Sequence, residues 1–193
     1  MLEYFAIYKP FGMLSQFSKE GNRATLADLG DFNKDVYPVG RLDADSEGLL
    51  ILTNDKSLNS RLLDPQNGHG RKYLVQVEGS ISAQALRELK VGVRFRSKGR
   101  VYQSRLAEVR NIDEPSLPER NPPVRFRQNI PTSWIEIGLT EGKNRQVRKM
   151  TAAVGFPTLR LVRHSIEKLT IESMLPGDIR KFNKTDLLRL LNL

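Results

Sequence analysis

Leu49-Leu50-Ile51-Leu52-Thr53 is the segment that most restricts how the chain can fold. Four consecutive large aliphatic side chains leave no polar face, so the segment is too apolar to meet water and reads as a buried strand. Asn54 or Asp55 then caps a helix that runs to about Leu63, before Pro65 ends it. Directly upstream stands the opposite composition, Gly40-Arg41-Leu42-Asp43-Ala44-Asp45-Ser46-Glu47-Gly48. Three carboxylates, an arginine and two glycines are thus tied to a rigid strand, which is how a fold positions reactive side chains.

Periodicity and punctuation supply the other elements. Tyr4 to Tyr8 reads as a strand, and Thr25 to Leu29 as a short helix stopped by Gly30. Gln66 to Gly70 is a turn, and Tyr73, Val75 and Val77 alternate in a strand closed by Gly79. Ser82 caps a helix to about Lys90, followed by strands at Val101 to Arg110 and Trp134 to Leu139. Ile112 to Pro131, rich in Pro, Asn and charge, is expected to be an exposed, mobile loop. Asn144 is expected to cap a helix that ends at Gly155, with Val147, Met150 and Val154 as its inward stripe. Thr158 to Ile166 is extended, Pro176 and Gly177 make a turn, and Thr185 caps a short last helix. Several consecutive strands have no room for a crossover helix between them. The class is therefore α+β, with a mixed, largely antiparallel sheet, flanking helices and two lobes, residues 1–79 and 80–193.

Charge divides along the chain. Residues 1–70 hold 7 Lys and Arg against 10 Asp and Glu, whereas residues 71–193 hold 24 against 12. Asn, Gln, Ser and Tyr are interleaved with these cations, and no long amphipathic basic helix points to a membrane, so a nucleic acid is the expected partner. There is no cysteine, which removes disulfides, thiolate nucleophiles and cysteine zinc sites. The absence of an apolar run near membrane-spanning length places the protein in the cytoplasm. No glycine-rich nucleotide loop and no serine elbow is present, so nucleotide hydrolysis and serine acyl transfer lack support.

Two clusters carry chemistry. Asp43-x-Asp45-x-Glu47-Gly48 imitates the opening of a calcium loop, but the twelfth position is Asn54 and the intervening residues form an apolar strand, so no metal is expected. Glu141-Gly142-Lys143-Asn144-Arg145-Gln146-Val147-Arg148-Lys149-Met150 places four cations at a helix start. There they oppose the macrodipole at about 0.3 to 1 kcal/mol each, so an anion is expected to meet them. With free N–H groups they form a phosphate-binding end. Arg71-Lys72-Tyr73 sets a phenol beside two cations. Lys9-Pro10-Phe11-Gly12 is a turn, and His69 and His164 are isolated from each other and from any second ligand pair.

Taken in order, Lys9-Pro10-Phe11-Gly12, the block Gly40 to Asp55, Lys72-Tyr73-Leu74-Val75 and Gly142 to Met150 resemble the ribosomal pseudouridine synthase family over nearly the whole chain. Members of its small-subunit-type branch commonly begin with a basic domain of the ribosomal-protein S4 type. Here the catalytic signature begins at once, so no separate domain of that type is expected.

The resemblance implies the pseudouridine synthase catalytic fold around a cleft, and isomerisation of a flipped-out uridine in ribosomal RNA, of the large subunit rather than the small. It puts the catalytic aspartate at Asp43, the base-stacking tyrosine at Tyr73 and the arginine paired with the aspartate at Arg148. It implies RNA contacts from Lys9, Arg41, Arg71, Lys72, Lys143, Asn144, Arg145, Gln146 and Lys149, and a uracil pocket lined near Leu161. No cofactor is implied, and a monomer is expected. Ser46 stands where threonine is common, and Glu167 where glycine is frequent. The competing readings are a non-catalytic ribosomal-RNA-binding or ribosome-assembly protein, and a metal-dependent hydrolase built on Asp43, Asp45 and Glu47.

Overall fold

The structure, a computed structural model, describes every residue except Pro65 and Phe126. The expected end of the first helix at Pro65 thus lies outside the described residues, as does position 126 of the 112–131 loop. In chain order the strands and helices are β1 (Tyr4–Lys9), β2 (Tyr37–Pro38), β3 (Glu47–Thr53), α1 (Lys56–Leu63), β4 (Arg71–Glu78), α2 (Ala83–Val91), β5 (Arg94–Ser97), β6 (Arg100–Gln103), β7 (Glu108–Ile112), β8 (Thr132–Leu139), α3 (Gln146–Ala153), β9 (Thr158–Ile166), β10 (Leu169–Thr170), β11 (Ile179–Phe182) and α4 (Lys184–Leu190). Thr25 precedes a single 3-10 turn, Leu26–Asp28. The class is α+β with a mixed, largely antiparallel sheet, as expected.

Two compact units form, Met1–His69 with Val162–Leu193, and Gly70–Leu161. They are interleaved rather than consecutive lobes meeting at residues 79 and 80. Val162 and Arg163 of β9 pair in parallel with Glu47 and Gly48 of β3, and β11 pairs with β1, so the C-terminal segment belongs with the N-terminal one.

In the first unit β3 is buried along its whole length, with β1 on one edge and, on the other, β9 beside Glu47 and Gly48 and β2 beside Leu52 and Thr53. This is what its apolar run requires: a strand with neighbours on both edges and packing on both faces meets no water. Leu50 and Leu52 join Phe5, Ile7, Met13, Leu26, Val36 and Leu42 in one core. Asp55 caps α1, its carboxylate accepting the Ser57 N–H at 3.0 Å.

The second unit is built on β4, which pairs antiparallel with β8 from Arg71↔Leu139 to Glu78↔Thr132, and on β7, which pairs with the other edge of β8. Its core gathers Val75 and Val77 of β4, Leu89 of α2, Ile135 and Ile137 of β8, and Val147 and Met150 of α3. Ser82 caps α2 through the Ala85 N–H, as the sequence suggests.

Three local expectations change. Val101 to Arg110 is not one strand: Ser104 exchanges hydrogen bonds with Val93, at 2.9 and 3.0 Å, and turns the chain out of β6 before β7 begins. The residue capping α3 is Arg145, in the left-handed region at φ 53°, not Asn144, whose side-chain and backbone oxygens are engaged by the Lys149 ammonium at 3.0 and 2.7 Å. Asn183 rather than Thr185 caps α4, accepting the Asp186 N–H at 2.9 Å. The segment between β7 and β8 has no helix or strand among its described residues. Arg160 holds it at the Pro118 carbonyl, 2.8 Å, and Arg127 pairs with Glu78 at 3.1 Å.

Candidate active site and nucleic-acid interface

The Asp43 loop is clamped by the chain that follows β1. Gly12 donates its N–H to the Ala44 carbonyl at 2.7 Å. The Ser15 hydroxyl donates to the Leu42 carbonyl at 2.7 Å and accepts the Leu42 N–H at 3.1 Å. Within the loop the Ser46 N–H closes a turn on the Asp43 carbonyl at 3.0 Å. Asp43 itself is half-buried, and its neighbour Arg41 is exposed. Backbone hydrogen bonds on both sides fix the Cα position of residue 43, and with it the direction of its Cα–Cβ bond.

Lys9 is placed otherwise than expected. It is fully buried, at 0% exposure, and its ammonium donates to the Pro10 and Met13 carbonyls at 2.8 Å each. A side chain with no surface offers nothing to a phosphate; Lys9 braces the turn beneath the loop instead. Burial pushes its pKa down to about 8, against the opposing pull of Glu47, Asp45 and Asp43. The three carboxylates of the loop therefore share a buried counter-charge.

The rear of the loop rests on β9. Gly48 has φ 103°, and a Cβ there would lie 2.3 Å from the Arg163 carbonyl oxygen, so only glycine fits. Arg163, itself buried, donates from Nε to the Leu49 carbonyl at 2.7 Å. Sequence reading passes over Arg163, one of two arginines alternating with Leu159, Leu161 and Val162. For Ser15 there was no signal.

In the second unit, Tyr73 is half-buried on β4, opposite Ile137, and packs against the core of that unit. Leu161, expected to line a uracil pocket, is buried in the same core. Arg71 is half-buried, and Lys72 is exposed with its ammonium 4.0 Å from Glu108. Arg148 is half-buried on α3 and donates to the Thr158 carbonyl at 3.3 Å.

Lys143, Asn144 and Arg145 stand exposed at the start of α3, whereas Gln146 is buried. Its carboxamide accepts the Lys143 N–H at 2.8 Å and donates to Glu141 at 2.6 Å; Glu141 also accepts the Arg105 N–H at 2.9 Å. Gln146 thus shapes the basic loop from beneath and, like Lys9, presents no face to RNA. This unit holds 18 Lys and Arg against 8 Asp and Glu, so the positive excess of the chain resides here. The first unit holds a carboxylate on a rigid loop; the second, taken by itself, presents an aromatic ring and a dense cationic surface of the kind that meets phosphates.

Among the described residues no helix is long and apolar enough to cross a membrane. Residues 3–153 match the family model described as RNA pseudouridylate synthase. The chain is 50% identical over 169 residues to ribosomal large subunit pseudouridine synthase E of Vibrio parahaemolyticus, covering 88% of this chain and 69% of that protein. It is 49% identical over 171 residues to the protein of the same name from Xanthomonas axonopodis pv. citri, covering 87% of each. A crystal structure of a pseudouridylate synthase superposes with a TM-score of 0.79 at 22% identity, covering 98% of this chain and 74% of the other, a likeness of fold.

Proposed function

The chain belongs to the RNA pseudouridylate synthase family, and from that premise we propose that it converts a uridine of large-subunit ribosomal RNA to pseudouridine with Asp43 as its nucleophile. The observation that carries the choice of residue is the seating of the Asp43 loop. It is clamped by Gly12 and Ser15, lies over the buried Lys9 ammonium and is backed by the Gly48–Arg163 contact. Such construction serves a side chain whose position matters.

The isomerisation needs no added reagent. The N1–C1′ bond of uridine breaks, the freed uracil turns, C5 bonds to C1′, the C5 hydrogen leaves as a proton to solvent, and N1 takes up a proton in exchange. Asp43 attacks the substrate and departs again, so the carboxylate is regenerated. Tyr73 stacks on the flipped base and Arg148 pairs with the carboxylate. Arg41, Arg71, Lys72, Lys143, Asn144 and Arg145 grip the phosphates that flank it, whereas the three N–H groups of Lys149 are already given to Asn144 and Ser97. The protein acts as a monomer in the cytoplasm, where its substrate is made.

Tritium release from C5-labelled large-subunit ribosomal RNA tests the assignment. The wild-type protein releases tritium from a single site; Asp43→Asn abolishes release while RNA binding and thermal unfolding stay unchanged. Release persisting in the purified variant removes Asp43 from the mechanism, and none from wild type leaves an RNA-binding protein without this activity.

A further inference from the structure

The β5–β6 hairpin carries a charge pattern that the roles assigned above leave unused. From Leu89 to Ala107 the chain has six cations and no acidic residue. Four of them, Arg94, Arg96, Lys98 and Arg100, lie on the hairpin and are exposed. Among the described residues none of these four side chains has a hydrogen-bond or ion-pair partner. Like charges crowded on one small ribbon repel one another, so they are a cost to folding unless an anion meets them.

The hairpin is well ordered for such a task. Phe95 stacks on Tyr102 across the strands, with ring centroids 6.0 Å apart, and Phe95 is buried in the core. Lys98 and Gly99 both have positive φ, 50° and 76°, the geometry of a tight two-residue turn. The Lys149 ammonium donates to the Ser97 hydroxyl at 2.8 Å and fastens the hairpin to α3. Arg94 and Arg96, two residues apart, project from the same face, roughly 6.8 Å from each other along the strand. That step is close to the spacing of successive phosphates in an RNA strand. Beside them, Val101, Lys149 and the exposed Ala152 and Ala153 complete an open concavity of about 500 Å³.

We propose that this hairpin is a second RNA-binding surface, which holds the sugar-phosphate backbone and extends the basic start of α3. The ligand class is RNA phosphate rather than a lipid surface, because the hairpin exposes no aromatic side chain that could enter a bilayer: Phe95 is buried, and Tyr102 is half-buried with the Lys143 ammonium 5.5 Å from its ring. The proposal rests on the reading of the protein as an RNA-modifying enzyme, and binding and catalysis are read separately so that the two can fail independently.

The experiment compares wild type with a variant carrying Arg94→Gln, Arg96→Gln, Lys98→Asn and Arg100→Gln. A charge-matched control carries Lys19→Gln, Lys34→Gln, Lys56→Gln and Arg61→Gln, all exposed in the first unit. Filter retention of an in-vitro transcript of large-subunit ribosomal RNA, measured across a salt series, reports binding. Tritium release from the C5-labelled transcript reports catalysis. The hairpin variant is expected to bind at least ten-fold more weakly, with a log Kd against log salt slope shallower by about 3, a raised KM and an unchanged kcat. Equal weakening in the control, or an unchanged salt slope in the hairpin variant, overturns the proposal. Absence of release by wild type counts against the enzymatic reading alone, since the binding comparison still decides the role of the hairpin.

Discussion

Gly48 and Arg163 approach so closely that a single added methyl group on Gly48 would lie 2.3 Å from the Arg163 carbonyl oxygen and 2.8 Å from its nitrogen. The obstacle is backbone on both counts, so no side-chain rotation relieves it, and φ 103° is itself unfavourable for any residue with a Cβ. Gly48→Ala is therefore expected to lower the free energy of unfolding by about 3 kcal/mol and to reduce turnover, because the displaced strand carries the Asp43 loop. A urea titration with a loss under 1 kcal/mol would show that β3 and β9 yield more easily than the geometry implies.

The buried ammonium of Lys9 gives the protein a particular response to base. Its pKa is about 8 in the folded state and near 10.5 when the chain unfolds. Between those values the unfolded chain holds more protons, so this residue adds stability as pH rises from about 8 to 10.5 and withholds it below 8. The full span is on the order of 3 kcal/mol. Stability measured by denaturant at pH 7 and pH 10 should give a wild-type minus Lys9→Met difference that rises with pH. Parallel curves would mean that the ammonium is not desolvated as its position requires.

Asp55 works in the acid range. It caps α1 through the Ser57 N–H, and its carboxylate also accepts the Ser57 hydroxyl at 2.6 Å and the Tyr4 hydroxyl at 2.7 Å, with Lys184 at 3.4 Å. The hydrogen bonds from Ser57 and then Tyr4 hold its pKa well below the usual carboxylate range. The stabilisation is present above the ordinary carboxylate pKa and is lost as pH falls towards the lowered one. From pH 5 to pH 2 the wild type should lose more stability than Asp55→Asn, by an amount on the order of 2 kcal/mol. Equal acid sensitivity of the two proteins would remove Asp55 from the account.

The parts of this molecule that were legible in the sequence are those set by local chemistry. The aliphatic run of β3 demanded burial, Ser82 supplied an oxygen at a helix start, and Asp55 did the same for α1. Where a longer-range partner decides, the linear reading fails. The pairing of Val162 with Glu47 joins residues 115 positions apart, and nothing near either residue announces that the last segment returns to the first unit. Asn144 has the composition of a cap, yet Lys149, a turn later, takes its oxygens. Lys9 and Gln146 were assigned RNA contacts by the resemblance, and only packing shows that both face inward. Glu167 has φ 51°, the left-handed conformation that glycine adopts most easily and that suits the glycine frequent at this position in the family the chain resembles. The glutamate occupies it with its carboxylate held by Asn192 at 2.6 Å and by His69 at 3.4 Å.

Gln146 offers a test that separates bracing from contact. Its carboxamide must both accept, from the Lys143 N–H, and donate, to the Glu141 carboxylate. Glutamate matches its size and can still accept, but it sets a second carboxylate against Glu141 at hydrogen-bond distance, inside a buried site. If Gln146 shapes the loop, Gln146→Glu should lower stability by about 2 kcal/mol, raise KM for RNA and leave kcat unaltered. The double variant Gln146→Glu with Glu141→Gln restores a donor–acceptor pair of reversed polarity and should recover most of both losses. A residue that touched RNA directly would show no such rescue, because the added negative charge would still face the phosphates. Failure of the double variant to regain stability would place the effect of Gln146 outside its pairing with Glu141.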